Sequence, residues 1–457
     1  MLVETVHHTP VPLDLESRGL FEHLDITLDR QGKRLRFTGW EGQAWELSLP
    51  PAHTPWRAAP EFVHAWGRGQ VFLLRIGTDL MGIAPLNEQG LPAAKVLWSL
   101  PLVTSPQTDY LTLAPPSESR ALPPPELLDA FRFPLGRIGP VLAESFCYQQ
   151  ASYLVCRDLL TGTLRWISPG LTDDAMVTGD EQDILVIKPS QGEICHLRAV
   201  DGERLACHTR PMPAGRWIRL LGRYLWRETP SPHAHLLCED LLSGQVVWQR
   251  ELTPGSRLVP LDNEVCGWLS AEGQLQIVDW LTGADRTEPV PLPAPSGVEQ
   301  VHVSRDAVNW YLALDTRDPG IAPLRWNQIR QAYRTPVLTG MLCAVDRHEH
   351  RLQWSAVLQR EGWPIDQPRH LPILIQIYRA SSPDFMQTVV HPPTVLKIRD
   401  KRSGRELLTR DDLRSIPYVS LVSDVQRGII HVYLEREAFQ LHYRPMPPPP
   451  PLPEPTP

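Results

Sequence analysis

The 457-residue chain lacks most of the features that announce a function. Its longest apolar stretches, such as Leu371–Tyr378, fall far short of the ~20 residues a membrane helix needs, which argues against membrane insertion. The opening segment Met1–Pro10 has neither a basic n-region nor an apolar h-region, so it does not read as a signal peptide. Lys and Arg number 45 against 52 Asp and Glu, with no long block of either sign; the absent basic stripe argues against nucleic acid. Cysteine is scarce and scattered: Cys147, Cys156, Cys195, Cys207, Cys238, Cys266 and Cys343 include no Cys-x-x-Cys and no adjacent pair. They read as small buried apolar residues in a reducing compartment, and a cytoplasmic location follows. No Gly-x-Ser-x-Gly, His-Glu-x-x-His, P-loop or dinucleotide fingerprint occurs, which removes the commonest hydrolase, metalloprotease and nucleotide-binding readings.

What is abundant is proline, at 48 residues, and tryptophan, at 15. Proline stands at about twice its ordinary usage of roughly 5%. It interrupts helices and central strands alike, so the composition favours many short strands joined by turns. A hydrophobic content of 42% supplies a substantial core.

The strongest signal is a recurring phrase. Asp158-Leu-Leu-Thr161-Gly162-Thr-Leu-Arg-Trp166 returns as Asp240-Leu-Leu-Ser243-Gly244-Gln-Val-Val-Trp248. Weaker copies begin at Asp201, at Asp279 with Thr282 and Gly283, at Asp346 with Trp354 eight residues on, and at Asp400 with Ser403 and Gly404. Self-similarity with a period of roughly 40–50 residues points to a β-propeller. The residue types have mechanical reasons. An Asp carboxylate accepts the next backbone N–H groups and closes an Asx turn. Thr or Ser bonds within the same loop, and Gly takes the left-handed position that ends the turn as a bulge. The Trp four residues later lies on the returning strand, where its flat ring fills the wedge between neighbouring sheets. Occurring once per unit, these Asp residues read as structural rather than catalytic or metal-ligating.

Two degenerate turns, Asp29–Gly32 and Asn87–Gly90, bring the count to eight, with seven units as the alternative. The prediction is an all-β single propeller of seven or eight four-stranded blades over residues 1–444. Its last strand pair, 428–434 with 438–443, is expected to be completed by Leu24–Leu28 or Arg34–Phe37, closing the ring and covering its edge. Residues 445–457 read as a disordered proline-rich tail whose Arg444-x-x-Pro447-x-x-Pro450 spacing matches an SH3 ligand. Longer connections fall at 114–125, at 315–333 (a short helix carrying Arg325, Arg330 and Arg334) and at 361–370. Such loops are where repeat proteins place binding surfaces.

The Asp-x-x-Thr/Ser-Gly-x-x-x-Trp phrase resembles the tryptophan-docking repeat of the PQQ-like (quinoprotein alcohol dehydrogenase-like) β-propellers. The resemblance extends well over about 140–290, moderately to about 445 and weakly before 140. A catalytic member would imply adjacent disulfide-bonded cysteines, a calcium site of Glu, Asn and Asp, a catalytic Asp and an export signal. None of these can be placed on this chain, so the resemblance is to a non-catalytic member, and neither catalytic residue nor cofactor is assigned. Two histidine pairs, His233/His235 and His348/His350, have the alternate spacing of strand ligands but no third ligand nearby, and no metal site is assigned. The expected function is a monomeric, non-enzymatic scaffold that binds a protein or peptide partner through its loops and channel face. The alternative is a small-ligand or PQQ-binding propeller with oxidoreductase activity.

Overall fold

The computed structural model describes most of residues 138–316 and 337–442, and shorter stretches between 11 and 101. The long connections at 102–137, 317–336 and 380–393 and the tail from 443 lie outside the described residues, together with most of 361–370. The expectations for the SH3-like tail, the 323–333 helix and the 114–125 loop therefore fall outside it.

The described chain is all-β, its single helical element being one 3-10 turn at Pro189–Gln191. From Leu24 on, strands pair antiparallel with their sequence neighbours in small up-and-down sheets, an arrangement consistent with a β-propeller, while Glu16–Ser17 adds in parallel to Val63–Arg68. The clearest four-stranded sheets are a third (Ile138–Val141, Ser145–Gln150, Tyr153–Asp158, Leu164–Pro169) and a fourth (Met176–Gly179, Asp183–Lys188, Glu193–Arg198, Arg204–Thr209). A fifth (Arg216–Leu221, Tyr224–Glu228, His235–Asp240, Val246–Glu251) and a sixth (Arg257–Pro260, Val265–Leu269, Gln274–Asp279, Val290–Pro291) follow. The seventh comprises Gln300–Arg305, Asn309–Asp315, Val337–Asp346 and Leu352–Gly362.

The described residues form nine sheets in all. The turns led by Asp158, Asp240, Asp279 and Asp346 fall in the third, fifth, sixth and seventh sheets and that led by Asp400 in the eighth (Ile373–Arg379, Thr394–Asp400, Glu406–Leu413), the Asp29–Gly32 turn lies outside the described residues, and the ninth sheet follows the last of these turns. It consists of Val419–Asp424, Ile429–Leu434 and Ala438–His442. The expected closing strands are engaged elsewhere: Leu24–Leu28 pairs with Arg34–Gly39 and Val11–Pro12 in the first sheet. The hydrophobic pattern of those strands was legible; their partner was not, because any amphipathic strand can complete an open edge.

Packing runs from sheet to sheet. Leu28, Leu35 and Phe37 of the first sheet share a core with Phe72, Leu74 and Ile83 of the second, on its strands Val71–Ile76 and Asp79–Leu86. Cys147, Leu154 and Trp166 of the third meet Ile184, Val186 and Leu197 of the fourth. Trp226 and Cys238 meet Cys266, Val278 and Trp280 between the fifth and sixth, and Leu275 and Ile277 meet Trp310 and Leu312 between the sixth and seventh. The central strands thus bury residues against the sheet before and the sheet after, as a stacked repeat requires, while outer strands such as Arg204–Thr209 and Val246–Glu251 bury none.

Candidate functional site

The repeat phrase forms the hairpin between the third and outermost strands. Asp158 Oδ1 accepts the N–H groups of Leu160 and Thr161 at 3.0 and 2.9 Å and the Thr161 hydroxyl at 3.0 Å. Gly162 N–H donates to Asp158 O at 2.9 Å with φ 68°. The strand register then slips, pairing Arg157 with Leu164 and Cys156 with Trp166, so Arg165 is a bulge residue whose guanidinium reaches Asp158 Oδ2 at 2.7 Å. Burial opposes ionisation of Asp158, but Arg165 and the turn donors outweigh it and hold the carboxyl below the ordinary aspartate range. Asp240, Asp279, Asp346 and Asp400 make the same turn, accepting from Leu242, Leu281 and Thr282, His348 and Glu349, and Arg402. Ser243 and Thr282 bond inside their loops to the N–H of Gln245 and Ala284, and Ser403 to that of Arg405.

Asp201 occupies a different position from the one its spacing suggested. Gly202 N–H donates to Arg198 O, so Arg198 stands where Asp leads the other turns and Asp201 takes the place of Thr161. Its carboxylate accepts from Glu203 N–H and Arg198 Nη1. In the seventh sheet His350 fills the glycine position at φ 49°, stacked on Trp310 with ring centroids 5.7 Å apart. Its neighbours His348 and Glu349 are exposed. His233 lies outside the described residues.

The tryptophans join neighbouring sheets. Trp166 Nε1 donates to Ala199 O at 2.9 Å, and its ring covers Gly202, where an added Cβ would lie 2.6 Å from the indole. Trp98 bonds Leu159 O over Gly162, Trp248 bonds Trp280 O over Gly283, and Trp354 bonds Lys401 O over Gly404. Each glycine therefore serves twice, in a left-handed turn and as the floor for the preceding sheet's indole. The fourth sheet has Ala206 four residues after Gly202, and Arg210 takes over: its Nη2 bonds Leu241 O at 3.1 Å and its guanidinium covers Gly244. Nothing in the phrase pointed to Arg210.

A second set of aspartates was also missed. Asp180, Asp262 and Asp306 cap the turns between the first and second strands, each accepting two backbone N–H groups. The Asp-x-x spacing before a strand was the available signal. Asp262 Oδ2 also accepts from Trp310 Nε1 at 3.1 Å and lies 3.4 Å from Arg347. Asp306 Oδ2 accepts the Tyr311 hydroxyl at 2.8 Å and pairs with Lys401 at 3.2 Å. Burial raises the Asp306 pKa, yet Lys401 and the hydrogen bonds prevail and lower it. These carboxylates are thus matched by cations within the protein.

Two surface features remain. Large apolar residues stand exposed at one equivalent turn position, Leu160 at 61%, Val200 at 65% and Leu281 at 54%, and along the outer strands at Leu164, Ile167, Leu205, Val246 and Val247. The other feature overturns part of the cysteine reading: Cys195 and Cys207 form a disulfide. Twelve residues apart in sequence, they face each other directly across the last hairpin of the fourth sheet, a pairing set by register rather than by any local motif. Cys147, Cys156, Cys238, Cys266 and Cys343 are free and buried. Burial, with Asp240 and Glu239 nearby, pushes the Cys238 thiol up to about 12.

No helix among the described residues is long and apolar enough to cross a membrane. No family model and no curated protein matches the chain. Among solved structures, BamB from Moraxella catarrhalis is 12% identical, with a TM-score of 0.31 over 81% of this chain and 92% of its own. Saccharomyces cerevisiae Sqt1 is 9% identical, with a TM-score of 0.40 over 86% and 94%. The dihydro-heme d1 dehydrogenase NirN is 9% identical, with a TM-score of 0.38 over 88% and 76%. At these scores and identities, nothing about residues or activity transfers from them.

Proposed function

We propose that the chain is a non-enzymatic propeller scaffold, its sheets the blades of one ring, that binds a protein partner along the turn rim and outer strands of its third to fifth sheets. The exposed aliphatic series carries this reading. Leu160, Leu164, Ile167, Val200, Leu205, Val246 and Val247 sit on three consecutive sheets. Apolar surface that recurs at matched positions is more than the scattered exposure ordinary in a monomer. The charged groups support the same reading: Asp158, Asp240 and Asp279 are held by turn N–H groups and by Arg165, Arg223 and Arg286, and Asp306 by Lys401.

The test compares the wild-type chain with a Leu160→Ser, Val200→Ser, Leu205→Ser, Val247→Ser variant shown by circular dichroism to keep its β signature. A defined partner that crosslinks to the wild type and is lost by the variant supports the scaffold. An unchanged crosslinking profile, or a saturable thermal shift of the wild type with PQQ and calcium, refutes it.

A further inference from the structure

We propose that reduction of the Cys195–Cys207 disulfide creates a zinc site whose ligands are the two thiolates and the Glu193 carboxylate. The proposal is independent of the scaffold reading. The ligand atoms of these three residues already lie within 4.8 Å of one another. Strand geometry puts them there. Cys195 and Cys207 are directly opposed, and Glu193 is two residues back on the same strand face, opposite Thr209. The half-buried Glu193 is oriented by Lys188, whose Nζ donates to Oε2 at 2.6 Å on the neighbouring strand. A ligating carboxylate held by a fixed donor is the usual support for a metal ligand.

Two thiolates and one carboxylate make a donor set suited to a borderline-soft divalent ion. Bonds of about 2.3 Å to sulfur and about 2.0–2.2 Å to oxygen place tetrahedral ligands about 3.3–3.8 Å apart, so small rotamer shifts from the present positions suffice. The fourth position would be taken by water. Access is one-sided: Cys195 is buried at 2% exposure, while Cys207 is exposed on the outermost strand. A small crevice lined by Ser168, Lys188, Cys195, Leu197 and Arg204 runs alongside.

The chemistry balances with a small-molecule thiol as reductant. Its thiolate attacks the exposed Cys207 sulfur and expels Cys195 as thiolate, which takes up a proton. A second reductant thiol then releases Cys207 as a thiol and leaves as the reductant's own disulfide. Two electrons enter the protein, and zinc binding afterwards displaces the two thiol protons. Oxidation would close the site by joining its two sulfur ligands.

The full chain, oxidised or reduced with dithiothreitol and desalted without air, is titrated with zinc against a chromophoric chelator. Cadmium serves as the spectroscopic probe, through thiolate-to-metal charge transfer. The oxidised chain should take up none, and the reduced chain one equivalent showing that absorption. A Cys195→Ser, Cys207→Ser variant should take up none. Glu193→Gln, which keeps the disulfide and so guards against misfolding, should bind at least about tenfold more weakly. Cys147→Ser, which disrupts the opposed Cys147/Cys156 thiols of the third sheet, should leave the equivalent intact. Equal uptake by the oxidised chain, no uptake by the reduced one, full uptake by the double serine variant, unchanged affinity in Glu193→Gln, or loss in Cys147→Ser each overturns the assignment.

Discussion

The contact between Trp166 and Gly202 predicts a specific non-additivity. Gly202→Ala incurs two penalties. Its φ of 71° costs an L-residue about 1–2 kcal/mol, and its new Cβ meets the indole at 2.6 Å, an overpacking cost of about 1–3 kcal/mol. Trp166→Ala alone empties a site that is 7% exposed and removes the bond to Ala199 O, at about 3–5 kcal/mol. In the double variant the clash is gone and only the φ cost is added to the tryptophan loss. The double variant should therefore be more stable than the sum of the singles by about 1–3 kcal/mol. Urea unfolding, followed by far-ultraviolet circular dichroism so that loss of an indole does not bias the signal, gives the four free energies. Repeat arrays can unfold in stages, so the transition must first be shown to coincide by two probes. Additivity within about 0.5 kcal/mol would refute the picture of glycine as the floor of an indole dock.

Trp166→Phe should destabilise by about 1 kcal/mol more than Trp248→Phe, because Trp280 O also accepts from Trp226 Nε1, whereas Ala199 O loses its indole donor; paired urea titrations measure the difference. Asp240 predicts an acid limb. Burial raises its pKa, but Arg223 and the Leu242 N–H outweigh burial and depress it in the folded state. Its contribution is then present above the unfolded value near 4 and lost as pH falls through the lower folded value, so Asp240→Asn should flatten the decline of Tm below about pH 4 and leave the slope at neutral pH unchanged. Glu361→Ala should cost about 3–5 kcal/mol in urea unfolding, since Glu361, 2% exposed, balances Lys397 and Arg399 and accepts from Gln376 at 2.6 Å.

Much of the turn was readable from local residues. An Asx turn, a positive-φ glycine and a bulge are short-range events, so Asp158, Asp240, Asp279, Asp346 and Asp400 could be located from spacing alone. The same reasoning misplaced Asp201, because the fourth sheet substitutes Arg198 at the leading position and keeps only the glycine in register. It passed over Arg210, which docks on the next sheet's turn from a position outside the phrase. The buried Glu361 network was equally hidden, since its members come from strands 15 and more residues apart.

By itself the sequence determined the repeat, its all-β character and the chemistry of each turn, because these depend on residues within about ten positions of one another. Tertiary structure alone decided which strands share a sheet, where the N-terminal strands pair, and that Cys195 lies opposite Cys207 and Cys147 opposite Cys156. Register is the physical reason. A one-residue slip moves every side chain to the opposite face, and no local motif records which of two well-formed strands will lie alongside a third.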